Sequence, residues 1–108
     1  MLGKFLRSGQ HLDMVGAYRK DMREADDEAL LKSSIFVDNF TGALKETGDL
    51  LIPLNEGIIE KTDVKADLFG LCAGQSLGRR DPAEITFFKS VGHALEDLVG
   101  ANYYFEQL

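Results

Sequence analysis

The sequence predicts an α/β protein, about half of a doubly wound parallel sheet followed by a long carboxy-terminal helix. Three observations carry this. Short apolar runs with strand character alternate with segments of helical spacing, in the order strand-helix-strand-helix-helix-strand-helix. Strands separated by helices require crossovers, and crossovers join parallel strands. The first strand arises almost at the amino terminus, and three strands make about half of a doubly wound sheet. Such a sheet is covered on both faces, and this chain has few helices to do it.

Each element has its own grounds. In His11-Leu12-Asp13-Met14, Leu12 and Met14 alternate with polar neighbours before Val15, Gly16 and Ala17, which suits a strand running into a loop. A helix follows, with Asp26, Asp27 and Glu28 in its first turn and Lys32 in its last. That polarity matches the helix dipole, and Asp26 is the capping residue. Ile35-Phe36-Val37, ending at Asp38, is a buried strand. The next helix begins near Thr41, carries Ala43 and Leu44, and stops at Gly48. Leu50-Leu51-Ile52-Pro53 reads either as a short helix or as an extended connection, because proline disfavours the helical region for its predecessor. Asp67 to Ala73 is a helix closed by Gly74, and Ile85-Thr86-Phe87-Phe88 is the third strand. The strongest signal comes last: Ala94, Leu98, Ala101, Phe105 and Leu108 fall at helical spacing, with Leu95 and Val99 widening the stripe.

Composition narrows the function classes. The 108 residues are 44% hydrophobic and 28% charged with two prolines, the profile of one folded domain rather than a disordered chain. The net charge of −6 argues against a nucleic-acid backbone or an anionic membrane as partner. No apolar run approaches the roughly 20 residues of a membrane span. The opening residues lack a secretory pattern, and the single cysteine, Cys72, allows no internal disulfide. These features together predict a cytoplasmic protein.

In open α/β sheets ligands bind beyond the carboxyl ends of the strands, so the two strand-end loops are the places to look. After the first strand, Gly16 and Ala17 would let a flat ring approach the backbone, or simply form a small-residue turn. After the third, Ser90 in Lys89-Ser90-Val91-Gly92 either caps the last helix or helps hold an electron-rich ligand at the helix start. His11 and His93 have no second ligand at metal spacing, so no metal site is expected. Cys72, beside Leu71 and Phe69, reads as a small buried hydrophobe. Neither Gly-x-Gly-x-x-Gly nor a Gly-Lys-Ser/Thr phosphate loop occurs, and no catalytic residue is assigned.

Three blocks of residues then carry a family resemblance. Val15-Gly-Ala-Tyr-Arg-Lys-Asp-Met-Arg-Glu-Ala-Asp-Asp-Glu28, Gly48-Asp-Leu-Leu-Ile-Pro-Leu54, and Gly78-Arg-Arg-Asp81 with Glu84-Ile-Thr-Phe-Phe-Lys-Ser-Val-Gly-His-Ala-Leu-Glu-Asp97 occur in family order across nearly the whole chain. They resemble the carboxy-terminal part of the ornithine cyclodeaminase/mu-crystallin family. The resemblance implies a Rossmann-like nicotinamide-binding domain whose second half spans residues 1–90. Residues 91–108 would be the returning helix, which in the family packs on a second domain for substrate and dimer contacts. Members convert ornithine to proline and ammonia, reduce cyclic imines or ketimines, or make alanine from pyruvate.

Residue by residue, the resemblance implies that Val15 lies beside the cofactor, that Ser90 contacts it near the nicotinamide, and that Val91 lines the substrate pocket. Tyr18 aligns with the catalytic aspartate of ornithine cyclodeaminases proper, and a phenol that ionises near pH 10 cannot act as a base in its place at neutral pH. The loop resembles mu-crystallin-like and cyclic-imine reductase members more closely, and Asp21 is the polar residue at hand. The family's phosphate loop, its ribose-binding acid, its substrate-binding arginine and its catalytic lysine all lie upstream of this chain. The expectation is therefore a carboxy-terminal fragment of an NAD- or NADP-dependent reductase of cyclic imino acids (a ketimine reductase). Alone it would be inactive, bind the cofactor weakly and pair as a homo-oligomer. The alternatives are an ornithine cyclodeaminase and a non-catalytic interaction module.

Overall fold

The computed structural model describes all 108 residues. The strands are β1 (His11–Met14), β2 (Ser33–Val37), β3 (Val64–Asp67) and β4 (Ile85–Lys89). The helices are α1 (Asp27–Leu31), α2 (Phe40–Glu46), α3 (Gly48–Asn55), α4 (Leu68–Cys72) and α5 (Ala94–Gln107). All strand pairs are parallel, in the order β1-β4-β2-β3. The α/β class and parallel sheet match the sequence expectation, with one strand more than predicted. Val64-Lys65-Ala66-Asp67 carries little strand signal because it is short and only Val64 and Ala66 are buried. It lies at the sheet edge, where Lys65 faces solvent.

Local chemistry explains most boundaries. Asp26 caps α1 as expected, its carboxylate accepting from the Ala29 N–H at 2.9 Å. Asn39 caps α2 through the Gly42 N–H, and Asp67 caps α4 through the Gly70 N–H at 2.9 Å. Gly74, at φ +71°, follows α4 as the sequence predicts. α2 stops at Glu46, just before Gly48 as predicted, but that glycine has no positive φ and is not what ends the helix. Thr47 caps α3 instead, and Gly48 is the first residue of that helix. A Cβ on Gly48 would overlap the Met22 carbonyl oxygen and come within 2.7 Å of that of Lys20, so close approach of backbone explains this glycine. The ambiguous Leu50–Pro53 stretch is helical. Pro53 forgoes one helical N–H bond, and its own carbonyl accepts from Ile58 and Ile59 as the helix ends.

The core lies on one face of the sheet. Leu12, Met14, Ile35, Val37, Val64 and Phe87 pack there with Ala29 and Leu30 of α1, Ala43 of α2 and Leu50 of α3. On the other face Phe36, Thr86 and Phe88 line an open cavity of about 390 Å³ beside Leu68 and Leu71. That face is covered only in part, as the shortage of helices foretold. No residue of α5 is buried, and Leu98 (55% exposed) and Phe105 (77%) carry its apolar stripe into solvent. No helix is long and apolar enough to cross a membrane.

Candidate functional site

The two strand-end turns singled out by sequence meet in space. β1 and β4 are paired neighbours with Met14 opposite Lys89, and the Ser90 N–H donates to the Met14 carbonyl at 3.0 Å. Val15 therefore leaves β1 beside the Ser90 turn, with 62% of its surface exposed. Gly16 is exposed as well, whereas Ala17 is fully buried. Only Gly16 of the two small residues leaves backbone open. Glu24 folds the loop back by accepting from the Gly16 and Ala17 N–H groups, and this turns the Ala17 methyl inward.

Ser90 is not the cap of the last helix. Gly92, at φ +90°, breaks the chain direction after it, and α5 starts at Ala94 with the His93 imidazole accepting from the Leu95 N–H at 3.2 Å. Ser90 belongs instead to a turn built around Asp38, the buried residue that follows β2. One oxygen of its carboxylate accepts from the Ser90 hydroxyl (3.1 Å) and from the Val91 and Gly92 N–H groups (2.8 Å each). The other accepts from the Asn39 N–H at 2.8 Å. A buried carboxylate with this many donors is satisfied, and each bond to it is charge-assisted. Val91 is half-buried against the core cluster, across from Gly42.

A second buried network holds the β1 loop. Lys89, on the inward row of β4 with Phe87, is fully buried, and its Nζ lies 3.3 Å from Asp49 and 3.9 Å from Glu24. The ammonium sits between the two carboxylates without a directed hydrogen bond to Asp49. The other oxygen of Asp49 accepts from the Glu24 and Ala25 N–H groups at 2.8 and 3.3 Å. The Gly48 N–H donates to the Arg19 carbonyl at 2.8 Å. The 15–25 segment is thus seated on the start of α3. Sequence reasoning missed Asp38, Asp49 and Lys89. The one available signal was a lysine in phase with Phe87, two residues on along an apolar strand.

The remaining candidates are peripheral. Tyr18 is 66% exposed. Asp21 is engaged by the Arg19 guanidinium at 2.6 and 3.0 Å, whose hydrogen bonds hold its carboxyl below the usual aspartate range. Cys72 is exposed rather than buried, because α4 is a single short turn with little above it. With Phe69, His93, Leu95 and Val99 it lines an open groove of about 530 Å³ between α4 and α5. No three His, Cys, Asp or Glu side chains are placed to hold a metal ion.

The residues present suit one end of a nicotinamide cofactor. Because the Ser90 proton is given to Asp38, the hydroxyl oxygen keeps its lone pairs, which can accept a carboxamide N–H. The exposed Val15 offers an apolar surface for a ring beside it. A pyrophosphate needs a backbone cradle at a helix start, and no Gly-rich loop of that kind is present.

A four-stranded parallel sheet with helical crossovers and paired strand-end turns defines a Rossmann-like α/β protein. The chain belongs to the ornithine cyclodeaminase/mu-crystallin family, whose model matches residues 1–108. It is 40% identical over 106 residues to the Delta(1)-pyrroline-2-carboxylate reductase of Colwellia psychrerythraea, covering 98% of this chain and 34% of that protein. Among solved structures it resembles the Thermococcus litoralis Delta(1)-pyrroline-2-carboxylate reductase in complex with NADH and L-proline. There the TM-score is 0.91 at 42% identity, over 98% of this chain and 33% of the other. An archaeal alanine dehydrogenase dimer with bound NAD matches with a TM-score of 0.86 at 31% identity, over 98% and 33%. The chain thus spans about a third of the length of the relatives it matches.

Proposed function

We propose that this chain forms the carboxy-terminal part of an NAD(P)-dependent reductase of small cyclic imino acids, with Δ1-pyrroline-2-carboxylate as the representative substrate. What carries the reading is the pairing of the Val15 and Ser90 turns, in a fold close to that of a reductase solved with NADH and L-proline. Residues 1–90 supply the second half of the dinucleotide-binding domain, and residues 91–108 the helix that returns to the rest of the protein. Val15 and Ser90 contact the cofactor, and Val91 shapes the substrate pocket. When bound, a reduced nicotinamide cofactor would supply hydride for reduction of the imine. This chain's share is to orient the nicotinamide, Ser90 by accepting from its carboxamide and Val15 by packing against the ring. The protein works in the cytoplasm as a homo-oligomer, and these 108 residues alone bind the cofactor weakly.

Ornithine cyclodeamination is the lesser reading, since Tyr18 stands where cyclodeaminases proper carry an aspartate. The test is to assay the complete polypeptide that contains this chain with NADH or NADPH and Δ1-pyrroline-2-carboxylate, following absorbance at the reduced-cofactor band. Substrate-dependent oxidation is expected. Ammonia release from ornithine without imine reduction would shift the assignment to the cyclodeaminase, and neither activity would leave a binding module.

A further inference from the structure

We infer that Lys89, with Asp49 and Glu24, is a buried charge clamp that sets the Val15 turn in place relative to the Ser90 turn. Lys89 is thereby a positioning residue for the nicotinamide site. The inference rests on the cofactor reading of those two turns. Its physical basis is the placement of one cation at the junction of three elements. Lys89 is the last residue of β4, so its backbone leads directly into Ser90. Its side chain turns to the inner face of the sheet, where a lysine is not otherwise expected, and is wholly removed from solvent.

There it meets Asp49 at 3.3 Å and Glu24 at 3.9 Å. Asp49 is fully buried and holds the Glu24 and Ala25 N–H groups. Glu24 in turn holds the N–H groups of Gly16 and Ala17, the two residues after Val15. Beside the direct bond from the Ser90 N–H to the Met14 carbonyl, a second path from Ser90 to the residues after Val15 therefore runs through one ammonium and two carboxylates. A hydrocarbon side chain at position 89 would fill the same space without making that path. A buried ion pair is weak support for stability, because its desolvation cost offsets the attraction, but its geometric demand fixes register. The sheet itself has Phe87, Ile35 and Val37 for its core.

The decisive comparison uses the complete polypeptide and three variants: Lys89→Met, Lys89→Met/Asp49→Asn and Glu24→Gln. The double variant removes the buried charges together, while the amide oxygen that replaces the Asp49 carboxylate can still accept from the Glu24 and Ala25 N–H groups. It is therefore the one expected to fold where the single variant fails. Two readouts are taken, amide hydrogen exchange over residues 12–18 against residues 33–37, and NADH affinity by fluorescence. The clamp predicts exchange about tenfold or more faster at Gly16 and Ala17, the effect of losing one charge-assisted hydrogen bond, with β2 unchanged. It also predicts NADH binding weaker by a similar factor in both the double variant and Glu24→Gln. Unchanged exchange at Gly16 and Ala17, or exchange rising equally in β2, would overturn the clamp and leave Lys89 a general stability residue. Faster exchange at the turn with unchanged NADH affinity would overturn its positioning role. If the unaltered protein binds no NADH, the cofactor reading itself fails, and exchange alone still decides whether the clamp exists.

Discussion

Replacing Asp38 with alanine isolates the carboxylate that organises the Ser90 turn. The side chain is 1% exposed and accepts three hydrogen bonds from residues more than fifty positions away: the Ser90 hydroxyl and the Val91 and Gly92 amides. Bonds to a charged acceptor contribute about 1.5–3 kcal/mol each, but they are not additive, and water can reach the exposed Gly92 once the acceptor is gone. Counting Val91 as the amide left without a partner, and the other two as partly rescued, gives a loss of roughly 3 kcal/mol. For a domain near 100 residues that lowers the melting temperature by roughly 10–20 °C. Asp38→Asn keeps an acceptor oxygen and should lose less than half as much. The assay is thermal and urea unfolding at neutral pH, paired with hydrogen exchange at Val91 and Gly92. An alanine variant within about 0.5 kcal/mol of the parent, the ordinary scatter of surface substitutions, would refute the account of the turn as built on Asp38.

Other expectations follow from the same contacts. Gly48→Ala should destabilise by about 1–3 kcal/mol despite alanine's better helix propensity, because the new methyl meets backbone rather than a movable side chain; urea unfolding measures it. Ser90→Ala in the complete protein should cost about 1 kcal/mol of stability, well below Asp38→Ala because Asp38 keeps its amide donors, and weaken NADH binding up to about tenfold by fluorescence titration. Asp26, Asp21 and Glu84 are all held below the usual carboxylate range, Asp26 by the Ala29 amide, Asp21 by Arg19 and Glu84 by the Ser34 hydroxyl. Their contribution is present above the unfolded value and lost as pH falls through the folded one, so stability should drop below about pH 4, and less steeply in Asp26→Asn. Leu98 and Phe105 stand exposed on α5, and burying each is worth about 1.5–3 kcal/mol, so the chain should self-associate in light scattering and Leu98→Asp/Phe105→Asp should abolish it.

Wherever a signal is local, the sequence is a good guide to this fold. Asp26 followed by Asp27 and Glu28 marks the start of α1 because a cap and a dipole act within one turn. Ile35-Phe36-Val37 and Ile85 to Phe88 are strands because short runs rich in β-branched and aromatic residues suit the middle of a parallel sheet, where β2 and β4 lie. β3 fails the same test for a physical reason: an edge strand needs fewer apolar residues, and Val64-Lys65-Ala66-Asp67 has two. Gly48 misleads because a glycine after a helix usually ends it, whereas here the need is room for the Met22 and Lys20 carbonyls. Nothing near Gly48 in sequence reports a neighbour that arrives from residue 22.

The candidate site divides along the same line. Val15, Ser90 and Val91 stand at strand ends; the rule that ligands gather there points to the two loops, and the family resemblance singles out Val15 and Val91 within them. What holds them does not follow from any local pattern. Asp38 reaches Ser90 across fifty-two positions and Asp49 reaches Glu24 across twenty-five, and a hydrogen bond that spans such distances leaves no periodicity to read. Ser90 illustrates the consequence. Taken locally, a serine a few residues before a helix is a cap, and Gly92 with its positive φ is what prevents that. Freed from capping, its hydroxyl proton goes to Asp38, and its oxygen keeps its accepting lone pairs. A cap would have spent that oxygen on an amide of α5. The three-residue displacement of the helix start is therefore what frees the Ser90 hydroxyl to bond Asp38, and His93 takes over the capping role that Ser90 gives up.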